Sequence, residues 1–191
     1  MILRTSATAL ALLLLPALSV GGQAAAQGLD STSVSRTAST SVCATPARKP
    51  FVPLRAHAVG RSMAVYPVAT GGEPPLTTAG KAAFGWDKDG PKPGSAYGNV
   101  RFTAHTYPDG SALGNRLLKR LRVGGRIVVY GSTSRLCYRV TRIKVTTPTR
   151  LGGYYNTIGT PKLAIVVCSG RRLGPGNWTN RTIWIAKPST S

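Results

Sequence analysis

LCYRVTRIKV, residues 136–145, decides the fold class. Leu136, Tyr138, Val140, Ile143 and Val145 are apolar, while Arg135, Arg139, Arg142 and Lys144 are basic. A period of two puts one set on a buried face and the other in water, the pattern of a half-buried antiparallel strand. The alternation slips near Thr141, which predicts a β-bulge there. Outward from this run the chain repeats the theme in MAVYPVA (63–69), NVRFTA (99–104), RIVVYG (126–131), LAIVVC (163–168) and TIWIA (182–186). These runs are rich in β-branched and aromatic residues and are bounded by Gly, Pro, Asn and Asp, as strands are.

One segment has the period of a helix. In ALGNRLLKRL (112–121), Leu113, Leu117, Leu118 and Leu121 share a face, with Arg116, Lys119 and Arg120 opposite. Many short strands with one or two short helices make an all-β domain, and they predict a closed or nearly closed antiparallel β-barrel with the helix packed against it.

The ends of the chain read differently. Ala7 to Val20 is an apolar stretch behind a single basic residue, Arg4, and Ala24, Ala25 and Ala26 offer the small residues of a cleavage site. Residues 1–27 therefore read as a signal peptide or membrane anchor, and the domain beyond as extracytoplasmic, cell-envelope associated or secreted. The apolar stretch is shorter than the roughly 18 to 20 residues of a comfortable membrane span. Residues 28–50 are rich in Ser, Thr and Ala without periodic apolar content, and read as a flexible linker because they bury too little surface to offset ordering entropy. The folded domain is expected over residues 51–191.

Charge narrows the partners. The 191 residues carry 25 Lys and Arg against 5 Asp and Glu, a formal net charge of +20, with no long basic run. Such a field attracts polyanions at a distance. No zinc-finger spacing, basic zipper or basic and aromatic interleaving is present, so nucleic acid is not the expected partner; outside the cytoplasm an anionic wall polymer or membrane surface is. Beyond the linker the only carboxylates are Glu73, Asp87, Asp89 and Asp109, a poor supply for a paired-carboxylate glycosidase or an acidic metal site. Three Cys and two His without close ligand spacing also argue against zinc.

Three residues could carry chemistry. The cysteines are Cys43, Cys137 and Cys168, an odd number, so at least one thiol has no partner within the chain. Cys43 and Cys137 could pair, but their separation in space is not given by sequence. Cys168 ends LAIVVC and precedes Ser169-Gly170, so it is expected where a strand emerges into a mobile loop. There it could be a nucleophile or an inert buried thiol. A nucleophilic Cys needs a proton partner, usually His. His57, among flexible neighbours, reads as a surface residue. His105 closes NVRFTAH and opens a loop with Pro108, Asp109 and Gly110, so it is either the partner or an ordinary structural His. Arg181, at the start of the strand predicted for 182–186, has five donors and a permanent charge suited to an oxyanion, yet it is one of many basic residues.

Together these residues resemble the sortase family of Gram-positive surface-anchoring transpeptidases, the actinobacterial class E/F type in particular. The resemblance covers about residues 58 to 188. It runs through VGRSMAVYPVA, AFGW, PGSAYGN, the strand ending at His105, DGSALGNRLLKRLRVGGRIVVY, KLAIVVCSG and WTNRTIWIAKP. Cys168 follows His105 by 63 residues and Arg181 follows Cys168 by 13, as the resemblance leads one to expect. The resemblance implies an eight-stranded barrel and a cysteine transpeptidase with Cys168 as nucleophile, His105 as proton partner and Arg181 on the oxyanion. It further implies secreted proteins with an LPXTG-like sorting signal as substrates, a peptidoglycan precursor or pilin amine as acceptor, and no cofactor; calcium activation, known in some sortases, is not expected with so few acidic residues.

The chain departs from the family pattern at three positions. Many sortases have Thr directly before the Cys and a second Thr three positions earlier, where this chain has Val167 and Ala164. The residue before the His is usually Gly and here is Ala104. The competing expectation, of another class, is a basic β-barrel that binds anionic wall polymers or sorting peptides without turning them over.

Overall fold

The structure is a computed structural model that describes Cys43 and residues 49–190. The 1–27 leader and most of the 28–50 segment lie outside the described residues. The described residues form eight strands and two helices: β1 (Arg55–Ala58), β2 (Arg61–Val68), α1 (Thr78–Lys81), β3 (Phe84–Asp87), β4 (Asn99–Ala104), α2 (Leu113–Arg120), β5 (Arg126–Tyr130), β6 (Arg135–Thr146), β7 (Lys162–Gly174) and β8 (Asn177–Pro188). They close into a barrel in the order β1-β2-β3-β4-β7-β8-β6-β5, with β1 pairing back onto β5. Among the described residues no helix is long and apolar enough to cross a membrane.

The run at 136–145 behaves as its alternation predicts. Leu136, Tyr138 and Val140 point into the barrel core, and the register shifts between Val140 and Arg142, at the predicted bulge. The extra residue inverts the phase, so Ile143 packs against the core while Arg142 and Lys144 keep to the outer face. Leu113 and Leu117 of α2 and Leu121, which caps it, are buried in the barrel's core cluster, and the Leu121 carbonyl accepts the Trp184 indole N–H at 3.2 Å.

Three expectations need correction. The barrel is mixed rather than antiparallel: β2 pairs with β3, and β4 with β7, in parallel. A parallel pair needs a crossover, and the chain supplies one through α1 between β2 and β3, and one through α2, β5 and β6 between β4 and β7. Second, β7 does not end at Cys168 but continues to Gly174, so the thiol sits within a strand, not at the mouth of a mobile loop. Third, β8 begins at Asn177, which places Arg181 inside the strand and not at its start.

Alternation along β7 and β4 sorts the residues that matter. Leu163, Ile165 and Val167 point into the barrel, whereas Ala164 and Val166 join Tyr154 and Ile183 in a second apolar cluster on the outside. Cys168 continues the outer set. Across from it, Asn99, Arg101 and Thr103 alternate with the core residues Val100 and Phe102, and the same phase carries outward to His105. Val167, where many sortases have Thr, is thus a core residue at 2 % exposure, and a hydroxyl there would need a buried partner.

Cys43 and Cys137 form a disulfide, with an S–S distance of 2.03 Å, which settles the pairing that sequence left open. The bond joins a segment read as linker to the outer face of β6, beside Val128 and Tyr130. It spans 94 residues; closing a loop of that length removes about 4 to 5 kcal/mol of chain entropy from the unfolded state on the entropic account.

Candidate active site

Strand pairing assembles the three residues. In the parallel register Ala104 sits beside Val167, so His105 emerges alongside Cys168. In the antiparallel register on the other side of β7, Cys168 faces Arg181. Thiol, imidazole and guanidinium therefore come from three neighbouring strands. The Thr106 hydroxyl donates to the Cys168 carbonyl at 2.8 Å and locks the end of β4 to β7. The amide of Gly114 donates to the His105 carbonyl at 2.8 Å, and a Cβ at Gly114 would come within 2.5 Å of that carbonyl oxygen. Only glycine lets α2 approach the histidine backbone this closely.

Cys168 is the free cysteine among the described residues, and it is 8 % exposed. It is not sealed in the barrel, because it lies between two surface cavities. One, of about 180 Å³, is lined by Cys168, Arg181, Glu73, Leu151 and Tyr155. The other, of about 360 Å³, is lined by Cys168, His105, Glu73, Leu76 and Trp178. Guanidinium and imidazole thus approach the sulfur from opposite sides.

Glu73 lines both cavities and comes from the loop between β2 and α1. The Thr103 hydroxyl donates to the Gly72 carbonyl at 3.0 Å and fixes this loop to β4. Glu73 Oε2 lies 3.2 Å from His105 Nδ1, and the Pro74 carbonyl lies 2.7 Å from His105 Nε2. Each ring nitrogen thus has an oxygen acceptor beside it, a carboxylate on one side and a carbonyl on the other. The loop therefore fixes the position and orientation of the His105 ring, itself 5 % exposed.

The thiol feels three influences. Burial raises its pKa, the Arg181 charge works against that rise, and the Glu73 charge adds to it. Resting Cys168 is thus biased toward the thiol, with the two flanking charges setting how far. Glu73→Gln is expected to move the pH profile of Cys168 alkylation by iodoacetamide to lower pH, and Arg181→Ala to move it to higher pH. Profiles that coincide with the wild type in both variants would show that neither charge reaches the sulfur.

Arg181 Nη1 donates to the backbone carbonyls of Asn180 at 3.1 Å and Trp178 at 3.4 Å. These bonds brace the guanidinium along its own strand and leave Nε and Nη2 for other acceptors. Glu73, Pro74 and Thr106 are the parts of the site that sequence reasoning missed. An isolated carboxylate in the stiff stretch GGEPP was visible, but no spacing rule ties it to a histidine 32 residues downstream.

A strand-borne cysteine with an imidazole on one side and a guanidinium on the other has the parts of acyl transfer: nucleophile, proton donor and oxyanion donor. The profile of the family described as Sortase domain matches residues 54–189. Among solved structures, sortase C1 of Streptococcus agalactiae, in a complex with MTSET, superposes with a TM-score of 0.56 at 16% identity, covering 75% of this chain and 71% of that one. Sortase C1 of Streptococcus suis superposes with a TM-score of 0.56 at 15% identity, covering 72% of each chain. No curated protein sequence matches the chain. At such identities the superpositions speak for the barrel, and the family match over most of the chain completes the assignment: this protein belongs to the sortase family, the cysteine transpeptidases.

Proposed function

We propose that this protein cleaves an LPXTG-like sorting signal between Thr and Gly and transfers the new carboxyl end to a cell-envelope amine. The observation that carries the reading is the register that sets Cys168 beside both His105 and Arg181. Cys168 gives up its proton to solvent and the thiolate attacks the Thr carbonyl carbon; the oxygen takes up the negative charge, which the free donors of Arg181 neutralise. The tetrahedral adduct collapses by breaking the C–N bond; His105 gives its proton to the departing Gly amine, and a thioester remains on Cys168. The acceptor amine, from a peptidoglycan precursor or a pilin, then loses a proton to His105 and attacks the thioester. An amide forms and the Cys168 thiolate departs. No step calls for a cofactor.

The actinobacterial class reading rests on the sequence motifs, and so does the anchored or secreted location. The Cys43–Cys137 disulfide supports an oxidising compartment, where such bonds persist. Incubating the protein with a panel of sorting peptides, without amine, should add the mass of the Thr-terminated fragment to Cys168. The adduct should be missing from Cys168→Ala. Full peptide transfer by that variant, or an adduct on another residue, would end the assignment.

A further inference from the structure

The loop between β6 and β7 has two sides. Pro148, Leu151 and Tyr155 face the Cys168 cavity, whereas Gly152, Gly153 and Asn156 wall a separate cavity of about 90 Å³ on the outer face of the barrel. Three cations line that second cavity, Arg142 and Lys144 from β6 and Lys162 from β7, and no carboxylate does. Its floor is apolar, made by Ile183 and Ile185. Arg142 and Lys144 are two residues apart on the outer face, just past the bulge that put them there. A Cβ added to Gly152 would lie 3.5 Å from Lys144 Nζ, so the ammonium is directed at bare loop backbone. Asn99, buried at 3 %, donates from Nδ2 to the carbonyls of Gly153 and Tyr154 and holds the loop in place as the far wall.

The chain cannot neutralise this cluster from its own described residues. Each of the four carboxylates beyond residue 50 is already committed: Glu73 to His105, Asp87 to Arg101, Asp89 to Lys88 and Asp109 to Lys81. Three like charges over an apolar floor repel one another, and an anion from outside relieves that repulsion. A water needs roughly 10 to 15 Å³ of such space, so the cavity admits a group of several heavy atoms and not only solvent. We infer that the cavity between β6, β7 and their connecting loop is a binding site for a phosphate-class anion, distinct from the catalytic groove and sharing one loop with it.

The test reads binding, not turnover, so its outcome is separate from that of the transpeptidase reading. Thermal melting is followed in inorganic pyrophosphate against sodium chloride of equal ionic strength. At about ten times Kd, the wild type should gain roughly 3 to 6 °C over the chloride control. A variant with Lys119→Gln and Arg120→Gln, which loses two charges from exposed α2 positions, should gain as much. The pair Arg142→Gln and Lys144→Gln should lose most of that gain, and Lys162→Gln alone should weaken binding several-fold. Equal gains in all variants, or no gain over chloride in the wild type, would overturn the site. Soluble glycerol phosphate oligomers and phosphatidylglycerol vesicles then distinguish the source: a Lys144-dependent melting shift with the first assigns a soluble polymer, and Lys144-dependent co-sedimentation with the second assigns a lipid headgroup.

Discussion

Arg181→Lys is expected to lower kcat for peptide transfer by about 10² to 10³-fold, the usual loss when one oxyanion donor is removed. The variant keeps the positive charge opposite Cys168, so the charge effect on the thiol survives and the alkylation profile should stay close to that of the wild type. What it loses is the planar fork. In the wild type Nη1 is tied to the Asn180 and Trp178 carbonyls, which aims the remaining donors from a braced platform. An ammonium on a flexible stem has no such brace and meets one oxygen at a time. Measuring kcat beside the alkylation profile separates the two contributions. Near-normal kcat would show that charge alone serves the reaction and that the guanidinium geometry is not used.

The second large effect is on stability. Arg101 Nε lies 2.9 Å from Asp87 Oδ2, and both side chains are 5 % exposed, so the two charges neutralise each other as a buried ion pair although these two atoms do not meet in hydrogen-bond geometry. Asp87 also accepts from the Thr70 hydroxyl at 3.0 Å and the Asp89 amide at 3.1 Å. Arg101 Nη1 donates to the Tyr155 carbonyl at 3.2 Å, and its guanidinium lies 5.5 Å from the centre of the Tyr155 ring. Arg101→Met leaves a buried carboxylate without its counter-charge and should cost about 3 to 5 kcal/mol in denaturant unfolding. Adding Asp87→Leu removes the stranded charge and should recover more than half of the loss. A single-variant cost below about 1 kcal/mol would show that the pair is not what stabilises this corner. Because Tyr155 walls the Cys168 cavity, Arg101→Met should also raise KM for the sorting peptide.

How much was legible in the sequence follows the range of the interactions. Runs that face the core on one side and water on the other announced themselves, so β2, β4, β5, β6 and α2 were expected within a few residues of where they lie, and β7 and β8 were expected but shorter than they are. Two strands were not. β3 is buried at all four positions and shows no alternation, and both inward positions of the four-residue β1 are Ala, which has little strand preference. The parallel pairings were hidden as well, since period two is the same in either direction.

At the site, residue identity and strand membership came from the chain itself: a lone thiol in an apolar run, a histidine at a strand end, an arginine in the last strand. These depend on neighbours a few positions away, which a linear pattern records. That Cys168 lies within its strand, that His105 reaches it from one side and Arg181 from the other, and that Glu73 and Pro74 grip the imidazole depend on barrel closure. The registers of β4 on β7 and of β7 on β8 are set by packing the whole core at once. Local sequence determined which groups were available for chemistry, and only the long-range pairing of strands decided which of them meet.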